Sequence, residues 1–165
     1  MSKLTREHVA ALYDLYEVLL KLLVNRFMAV WDETDIVALV NQLQRLNKLI
    51  LAEERDLFAI IEAGFEMMRL CHERVANPYL QDTLDNLRPA ISRTYYLAVT
   101  RRPDELFRSM KFFNSLVKVV QEKDLQAADK LITAFAADQR ALILSVVDTL
   151  AEHGGVNAGQ ATGAG

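Results

Sequence analysis

Hydrophobic residues along this chain recur at spacings of three and four, the period of an α-helix with one apolar side. The most strongly patterned stretch runs from Asp56 to Pro78. Its apolar stripe consists of Leu57, Ile61, Gly64, Met68, Cys71 and Val75, with further apolar residues on both flanks. A helix that is apolar over so much of its circumference is usually surrounded by other helices. We therefore expect this stretch to form the central helix of a helical domain.

The same pattern predicts further helices on both sides of this stretch. No segment shows the strict alternation of apolar and polar residues that is typical of a β-strand. The connections between the patterned segments are short, so we expect neighbours in sequence to be neighbours in space. The predicted fold is all-α, an antiparallel bundle of about six helices over residues 5–30, 36–53, 56–77, 78–99, 104–121 and 125–152.

Proline and glycine residues modify this picture at three places. Pro89 lies inside the fourth predicted helix, where it removes a backbone donor, so we expect a kink. Gly64 costs its helix about 1 kcal/mol relative to alanine, and something should use the space that it leaves. Five of the six glycines follow His153. We therefore predict one helical domain at residues 1–152 and a disordered tail at residues 153–165.

The composition indicates a soluble protein. Hydrophobic residues make up 52% of the chain and charged residues 25%, and the net charge of −3 gives no electrostatic footprint for nucleic acid. Charged side chains interrupt every candidate membrane span, and no signal peptide is visible. The single cysteine, Cys71, excludes an internal disulfide bond and lies on the apolar stripe. We expect a cytoplasmic protein that does not contact membranes.

The residue patterns of the common catalytic sites are absent. The chain has three histidines and neither the Glu-x-x-His pairs of diiron bundles nor the His-Glu-x-x-His spacing of zinc proteases. It also has no glycine-rich phosphate loop and no nucleophile elbow. We therefore expect no enzymatic activity, no catalytic residues, no cofactor and no bound metal. Bulky apolar residues, among them Met68, Phe113 and Phe135, either fill the core or border a ligand cavity.

Three motifs give the chain a family resemblance. They are Leu12-Tyr13-Asp14-Leu15-Tyr16, then Gly64-Phe-Glu-Met-Met68 nine residues before Asn77-Pro-Tyr-Leu80, then Phe112-Phe113 followed by Asp124-Leu-Gln-Ala-Ala128 and Phe135. In this order, over residues 9–147, the chain resembles the FCD domain, the C-terminal effector domain of FadR-type GntR transcription regulators. The corresponding family motifs read Leu-Tyr-Glu-Leu-Arg, then Asp-x-x-Phe-His before Asn-Pro-x-Leu, then Glu-His, Asp-x-x-x-Ala and a final His.

The resemblance also shows where this chain departs from the family. Members commonly bind a metal through one Asp and three His residues. The corresponding residues here, none of which ligates such an ion, are Gly64, Met68, Phe113 and Phe135. The fatty-acyl-CoA-responsive FadR subgroup also lacks the metal set, and its fourth helix is similar to Arg93-Thr-Tyr-Tyr96 here.

This departure predicts the kind of ligand. We expect a metal-free pocket, lined by the same four residues, for a small-molecule effector such as a fatty acyl compound or another apolar acid. The candidates for binding its polar head group are Arg69, Asn77 and Arg93.

The resemblance further implies a regulatory role. We expect a homodimer whose arrangement changes when an effector binds, and DNA contact only through a winged helix-turn-helix that precedes this domain in the family and is absent from this chain. The alternative is a helical protein–protein interaction module with a filled core and no small ligand. A void on the order of several hundred cubic ångström beside Gly64 would favour the first interpretation, and close packing there the second.

Overall fold

A computed structural model describes residues 4–160 of the chain, with the side chains of residues 4–152. The described residues form six helices and no strand, which confirms the predicted all-α bundle. The helices are α1 (Arg6–Val30), α2 (Glu33–Leu51), α3 (Leu57–Val75), α4 (Pro78–Arg101), α5 (Glu105–Glu122) and α6 (Leu125–Gln160). Among these residues, none of the helices has a segment long and apolar enough to cross a membrane.

Side-chain caps begin the first four helices close to the positions that the sequence predicts. The hydroxyl of Thr5 accepts a backbone N–H of the first turn of α1 at 3.2 Å. A capping box begins α2: Asp32 accepts the N–H of Asp35 at 3.0 Å, and Asp35 accepts the N–H of Asp32 at 2.9 Å. Asp56 and Asn77 cap α3 and α4. Each such cap stabilises its helix by about 1 kcal/mol, so the boundaries are encoded locally.

The order in which the helices pack differs in part from the prediction. Sequence neighbours pack together in the pairs α2–α3 and α5–α6, as expected. The expectation is wrong for α1 and α2, whose backbones do not come into contact although only the extended residues Trp31 and Asp32 join them. Instead α1 packs against α3, α4, α5 and α6. The helices α1, α4 and α5 each pack against four others, whereas α3 packs against three, so α3 is not the most central helix.

The apolar stripe predicted for α3 is not the most buried side of that helix. The best-buried apolar residues of α3 are Ile60, Ala63 and Met67. On this side Gln42 of α2 donates a hydrogen bond to the carbonyl oxygen of Ala63 at 3.1 Å. The residues of the predicted stripe are only half-buried, and the flanking Phe58 is 71% exposed. Thus α2 covers one side of α3, and the stripe borders less tightly filled space.

The structure also shows how the helices run at Pro89 and at the predicted end of the last helix. The fourth helix continues through Pro89 as one α-helix. The last helix continues to Gln160, past its predicted end near Glu152. The disordered tail predicted at 153–165 remains a prediction, because its side chains and the whole of residues 161–165 lie outside the part of the chain that the structure describes.

Two helices end at a residue in the left-handed region of backbone conformation. Ala76 ends α3 with φ 54°, and Lys123 ends α5 with φ 55°. A residue with a Cβ atom pays about 1 kcal/mol in this conformation, which glycine adopts freely. We therefore expect Ala76→Gly to raise the free energy of unfolding by up to about 1 kcal/mol. Urea unfolding measures this gain, and a loss of stability would contradict it.

Lys123→Gly is the matched variant at the second position. The Nζ atom of Lys123 lies 4.5 Å from the centroid of the Trp31 ring, a cation–π contact that glycine loses. The gain from relieved backbone strain is therefore offset, and we expect Lys123→Gly to be less stable than Ala76→Gly by about 0.5–1 kcal/mol. Equal gains in the two variants would show that the cation–π contact contributes nothing.

Candidate ligand-binding site

An apolar cavity of about 130 Å³ lies inside the bundle, and all six helices contribute residues to its lining. The side chains around it are mostly leucine, isoleucine, valine and phenylalanine. Gly64, Met68, Phe113 and Phe135, which the family resemblance predicts to stand at metal-ligand positions, all border this cavity. The structure therefore brings together four residues from three helices that the sequence comparison singled out.

Gly64 and Phe113 face each other at the cavity wall. A methyl group placed on Gly64 would lie 3.8 Å from Cζ of Phe113, an ordinary van der Waals contact. The Phe113 ring packs edge-to-face on Phe112 with centroids 5.4 Å apart, and Phe112 stacks on Phe135 with centroids 3.9 Å apart and planes 6° apart. Aromatic pairs of these kinds contribute about 0.5–1.5 kcal/mol beyond their burial. The three rings form one connected wall across α5 and α6.

Met68 is held by a tyrosine of α1. The hydroxyl of Tyr16 donates to the sulfur of Met68 across 3.7 Å, and a thioether is a weak acceptor. Burial raises the pKa of Tyr16 to about 12, because a phenolate would lose its hydration. Burial likewise raises the pKa of the Cys71 thiol to about 12. Both groups are neutral at physiological pH, and Cys71 is not an activated nucleophile.

A small group of polar side chains interrupts the apolar lining. Tyr95, Ser109 and Gln139 border the cavity, and Ser109 and Gln139 are only 1% and 2% exposed. The Tyr95 hydroxyl donates to Oγ of Ser109 at 2.7 Å, and Nε2 of Gln139 donates to Oε1 of Glu105. Glu105 and Ser109 are one turn apart on α5, so the two hydrogen-bonded pairs adjoin. We call Tyr95, Glu105, Ser109 and Gln139 the polar cluster.

Sequence reasoning did not find the polar cluster. The sequence did contain a signal, because two polar residues stand at helical spacing from apolar ones and so share their side of the helix. Gln139 is four residues after Phe135, and Ser109 is three residues before Phe112. Their partners, however, lie on other helices: Tyr95 of α4 bonds to Ser109 of α5, and Glu105 of α5 bonds to Gln139 of α6. A pattern within one helix does not reveal such pairing.

The buried carboxyl group of the polar cluster has a shifted pKa. Glu105 is 3% exposed, and burial raises the pKa of its carboxyl group. The negative charges of Asp104 and Asp138 act in the same direction. The Arg108 guanidinium, 3.6 Å from Oε2 of Glu105, opposes the shift from an exposed position. The net direction is upward because desolvation is the largest contribution.

The four residues that correspond to the metal ligands do not fit a metal. Gly64 has no side chain, and Phe113 and Phe135 offer no donor atom. Met68 offers only a thioether, a soft ligand that already accepts the Tyr16 hydrogen bond. Among the described side chains, no group of three or more His, Cys, Asp or Glu residues is placed to hold a metal ion.

The residues predicted to bind a polar head group lie outside the cavity lining. Asn77 instead caps α4, where its side-chain oxygen accepts the N–H of Leu80 at 3.1 Å. Arg93 is exposed on α4. Arg69 forms ion pairs with Glu66 and Glu73 along α3.

Arg69 does border a second, polar depression. This groove of about 190 Å³ lies between α3 and α4, and its charged residues include Glu62, Asp85 and Arg88. Phe65 and Met68 line both the groove and the apolar cavity, so these two side chains separate the two spaces. Of the three predicted head-group residues, only Arg69 borders the groove, so the head-group residues and the apolar residues of the predicted site do not share one space.

The variant Glu105→Gln tests how far the buried carboxyl group lowers the stability of the folded protein as pH rises. Because its pKa is raised by folding, the folded protein holds the proton more tightly than the unfolded chain, and wild-type stability decreases as pH rises above the ordinary value of 4.5. The glutamine side chain of the variant has no charge to bury, so a rise in pH does not destabilise it in this way. Its oxygen still accepts the hydrogen bond from Gln139. We expect the stability of Glu105→Gln relative to wild type to increase as the pH rises above about 4.5.

Urea unfolding at a series of pH values measures this difference, and Glu122→Gln, at an exposed position of the same helix, is the control. A difference for Glu105→Gln that does not change with pH would contradict the assigned shift.

Comparison with protein families connects this geometry with a function. A family model of the FCD domain matches residues 11–138, more than half of the chain, and this span includes Gly64, Met68, Phe113 and Phe135. No curated protein matched the chain. FCD domains are the effector-binding, regulatory domains of GntR-family transcription regulators. The chain belongs to the FCD domain family.

Proposed function

We propose that this FCD domain binds a small apolar effector, or the apolar part of an acyl-type effector, in its cavity without a metal. The observation that carries the proposal is the cavity of about 130 Å³ bordered by Gly64, Met68, Phe113 and Phe135. The family's metal ligands have been replaced at these positions by groups that contribute apolar surface. The ligand would therefore be recognised by shape and by burial of apolar area.

The volume of the cavity limits the size of the effector. It is smaller than the void on the order of several hundred cubic ångström that would favour a ligand pocket outright, and smaller than the roughly 300–1,000 Å³ of typical ligand pockets. Apolar cavities of about 150 Å³ hold benzene. The cavity thus takes a group of about that size as it stands. A longer acyl chain needs Met68 or Phe113 to move, and the flexible methionine is the easier of the two to displace.

The open space also favours this function over the alternative, an interaction module with a filled core. Leaving a cavity of about 130 Å³ costs about 3 kcal/mol of stability, at roughly 24 cal/mol for each cubic ångström. An alanine at position 64 would recover part of this, since there is room for its methyl group 3.8 Å from Phe113. A protein that needed only a rigid surface would gain from such filling, whereas a ligand-binding domain needs the space.

The regulatory step that we propose is a change in how two copies of the domain pair. Regulators that read two half-sites on DNA need a dimer with a defined spacing between its DNA readers. An effector shifts this spacing only if it binds one dimer arrangement better than the other. Because every helix lines the cavity, its occupancy is sensed throughout the bundle. In this proposal the domain acts in the cytoplasm, and DNA is contacted by modules attached to it.

The outer side of α1 supports the proposed homodimer. A row on this side consists of four residues, Ala11, Leu15, Val18 and Leu22, which are spaced four, three and four residues apart. They therefore share one side of this helix. Leu15, Val18 and Leu22 are 44%, 61% and 38% exposed. An exposed row of large apolar side chains of this kind marks an interaction surface. We propose that two copies pair through this side of α1.

The cavity proposal predicts that filling position 64 removes ligand binding. We expect benzene and toluene to bind the wild-type protein, as seen by calorimetry and by a rise in melting temperature. Gly64→Leu should lose this binding because its side chain occupies the cavity. Gly64→Ala, the matched control, should keep binding and gain up to about 1 kcal/mol of stability from its higher helix propensity.

Two results would contradict the cavity proposal. One is the absence of binding by the wild-type protein. The other is unchanged binding by a Gly64→Leu variant whose circular dichroism shows an intact helical fold.

The dimer proposal predicts a shift to monomers when a charge is placed on α1. Val18→Glu buries a carboxylate in the proposed interface and should raise the dimer dissociation constant at least about tenfold. Val37→Glu changes the same residue type at a position of α2 with nearly the same exposure, 59% against 61%, and should leave the dimer unchanged. Sedimentation equilibrium measures both. A monomeric wild-type protein, or equal effects of the two variants, would refute this interface.

A further inference from the structure

The electrostatic character of the cavity restricts the effector more than its volume does. Among the described residues that line it, none carries a charge at neutral pH. Its ionisable groups are the thiol of Cys71 and the hydroxyls of Tyr13, Tyr16 and Tyr95, and burial raises the pKa of each of them. No lining residue can therefore neutralise a charged ligand.

The polar cluster has hydrogen-bonding capacity that its internal bonds do not use. Ser109 accepts the hydrogen bond from Tyr95, so the serine hydroxyl keeps its own hydrogen to donate. Gln139 uses one N–H on Glu105, so its second N–H and its carbonyl oxygen remain. Both residues border the cavity and are at least nine-tenths buried. An occupant of the cavity can thus form hydrogen bonds at this place.

An anionic head group would be disfavoured at the same place. A carboxylate loses its hydration in an apolar interior, and such a loss is offset only by a cation or by several strong donors. Arg108, which pairs with Glu105 of the cluster, is exposed and approaches it from the outer side. In its ionised form, the carboxyl group of Glu105 would also repel a second carboxylate. The cluster is therefore suited to one neutral polar atom.

We propose that the effector is an uncharged molecule of about the size of benzene that carries one hydroxyl or carbonyl group, with this polar atom bound by Ser109 and Gln139. The inference rests on the proposed function of the cavity and narrows it from apolar acids to neutral compounds. It assigns the polar cluster as the element that determines specificity.

Three probes of similar size test the proposal. Benzene has no polar group, phenol carries a hydroxyl and is neutral at pH 7, and benzoate carries a charge. Calorimetry with the wild-type protein should show phenol binding at least as tightly as benzene, because the polar cluster binds the phenol hydroxyl. Without such a partner, burying the hydroxyl would make phenol bind more weakly than benzene. Benzoate should bind at least about a hundredfold more weakly than phenol, because its charge finds no partner.

A double variant assigns the effect to the polar cluster. Tyr95→Phe with Ser109→Ala removes both partners of one buried hydrogen bond, which is better tolerated than leaving one partner unpaired. We expect phenol affinity to decrease about tenfold, the equivalent of one lost hydrogen bond, with benzene affinity unchanged. A fold defect would lower the affinities for benzene and phenol together, so the benzene measurement is the internal control.

The outcomes separate this inference from the proposed function. No binding of benzene or phenol by the wild-type protein overturns both. Binding of benzene with much weaker binding of phenol, or binding of benzoate as tight as that of phenol, overturns the inference and leaves the apolar cavity intact. Phenol binding that the double variant does not weaken also overturns it. The expected pattern of all three probes and the variant supports the polar cluster as the binding place of the polar atom, with Ser109 as one of its partners.

Discussion

The approach of Gly64 of α3 to the ring of Phe113 of α5, with room for one methyl group between them, shapes one wall of the interior. Because position 64 has no Cβ atom, the backbone of α3 faces the ring directly. The ring then packs on Phe112, which stacks on Phe135 of α6. A side chain larger than alanine at position 64 has to enter the cavity or push this row of rings. One absent side chain thus sets the geometry of a wall that α3, α5 and α6 share.

The same four positions explain why the interior is electrically neutral. The positions that the family resemblance assigns to metal ligands hold a glycine, a methionine and two phenylalanines in this chain. Without a metal, a charged ligand has no counter-charge, and the buried tyrosines and the buried cysteine keep their protons because burial raises the pKa of each. Loss of the metal-binding set and loss of affinity for anions are therefore expected to occur together. The polar groups that remain are suited to neutral partners.

Local and long-range features of the structure differ in how far the sequence predicted them. The starts of α1 to α4 were predictable because each depends on a capping side chain within a few residues, such as Thr5 or Asp32. The packing of α1 against α6 was not, because connection length constrains only sequence neighbours. The four residues of the apolar site were found through the family's ligand positions. The polar cluster was missed because its Glu105–Gln139 bond joins residues 34 apart on different helices.

The energy of the cavity also bounds the strength of any switch built on it. An effector can shift a dimer equilibrium only by the difference between its affinities for the two arrangements. If one arrangement keeps the cavity open and the other collapses it, filling the open one is worth at most about 3 kcal/mol for 130 Å³. Since 1.4 kcal/mol corresponds to a factor of ten, one bound effector would shift such an equilibrium by at most about a hundredfold. In the proposed dimer, two such sites would make the response steeper.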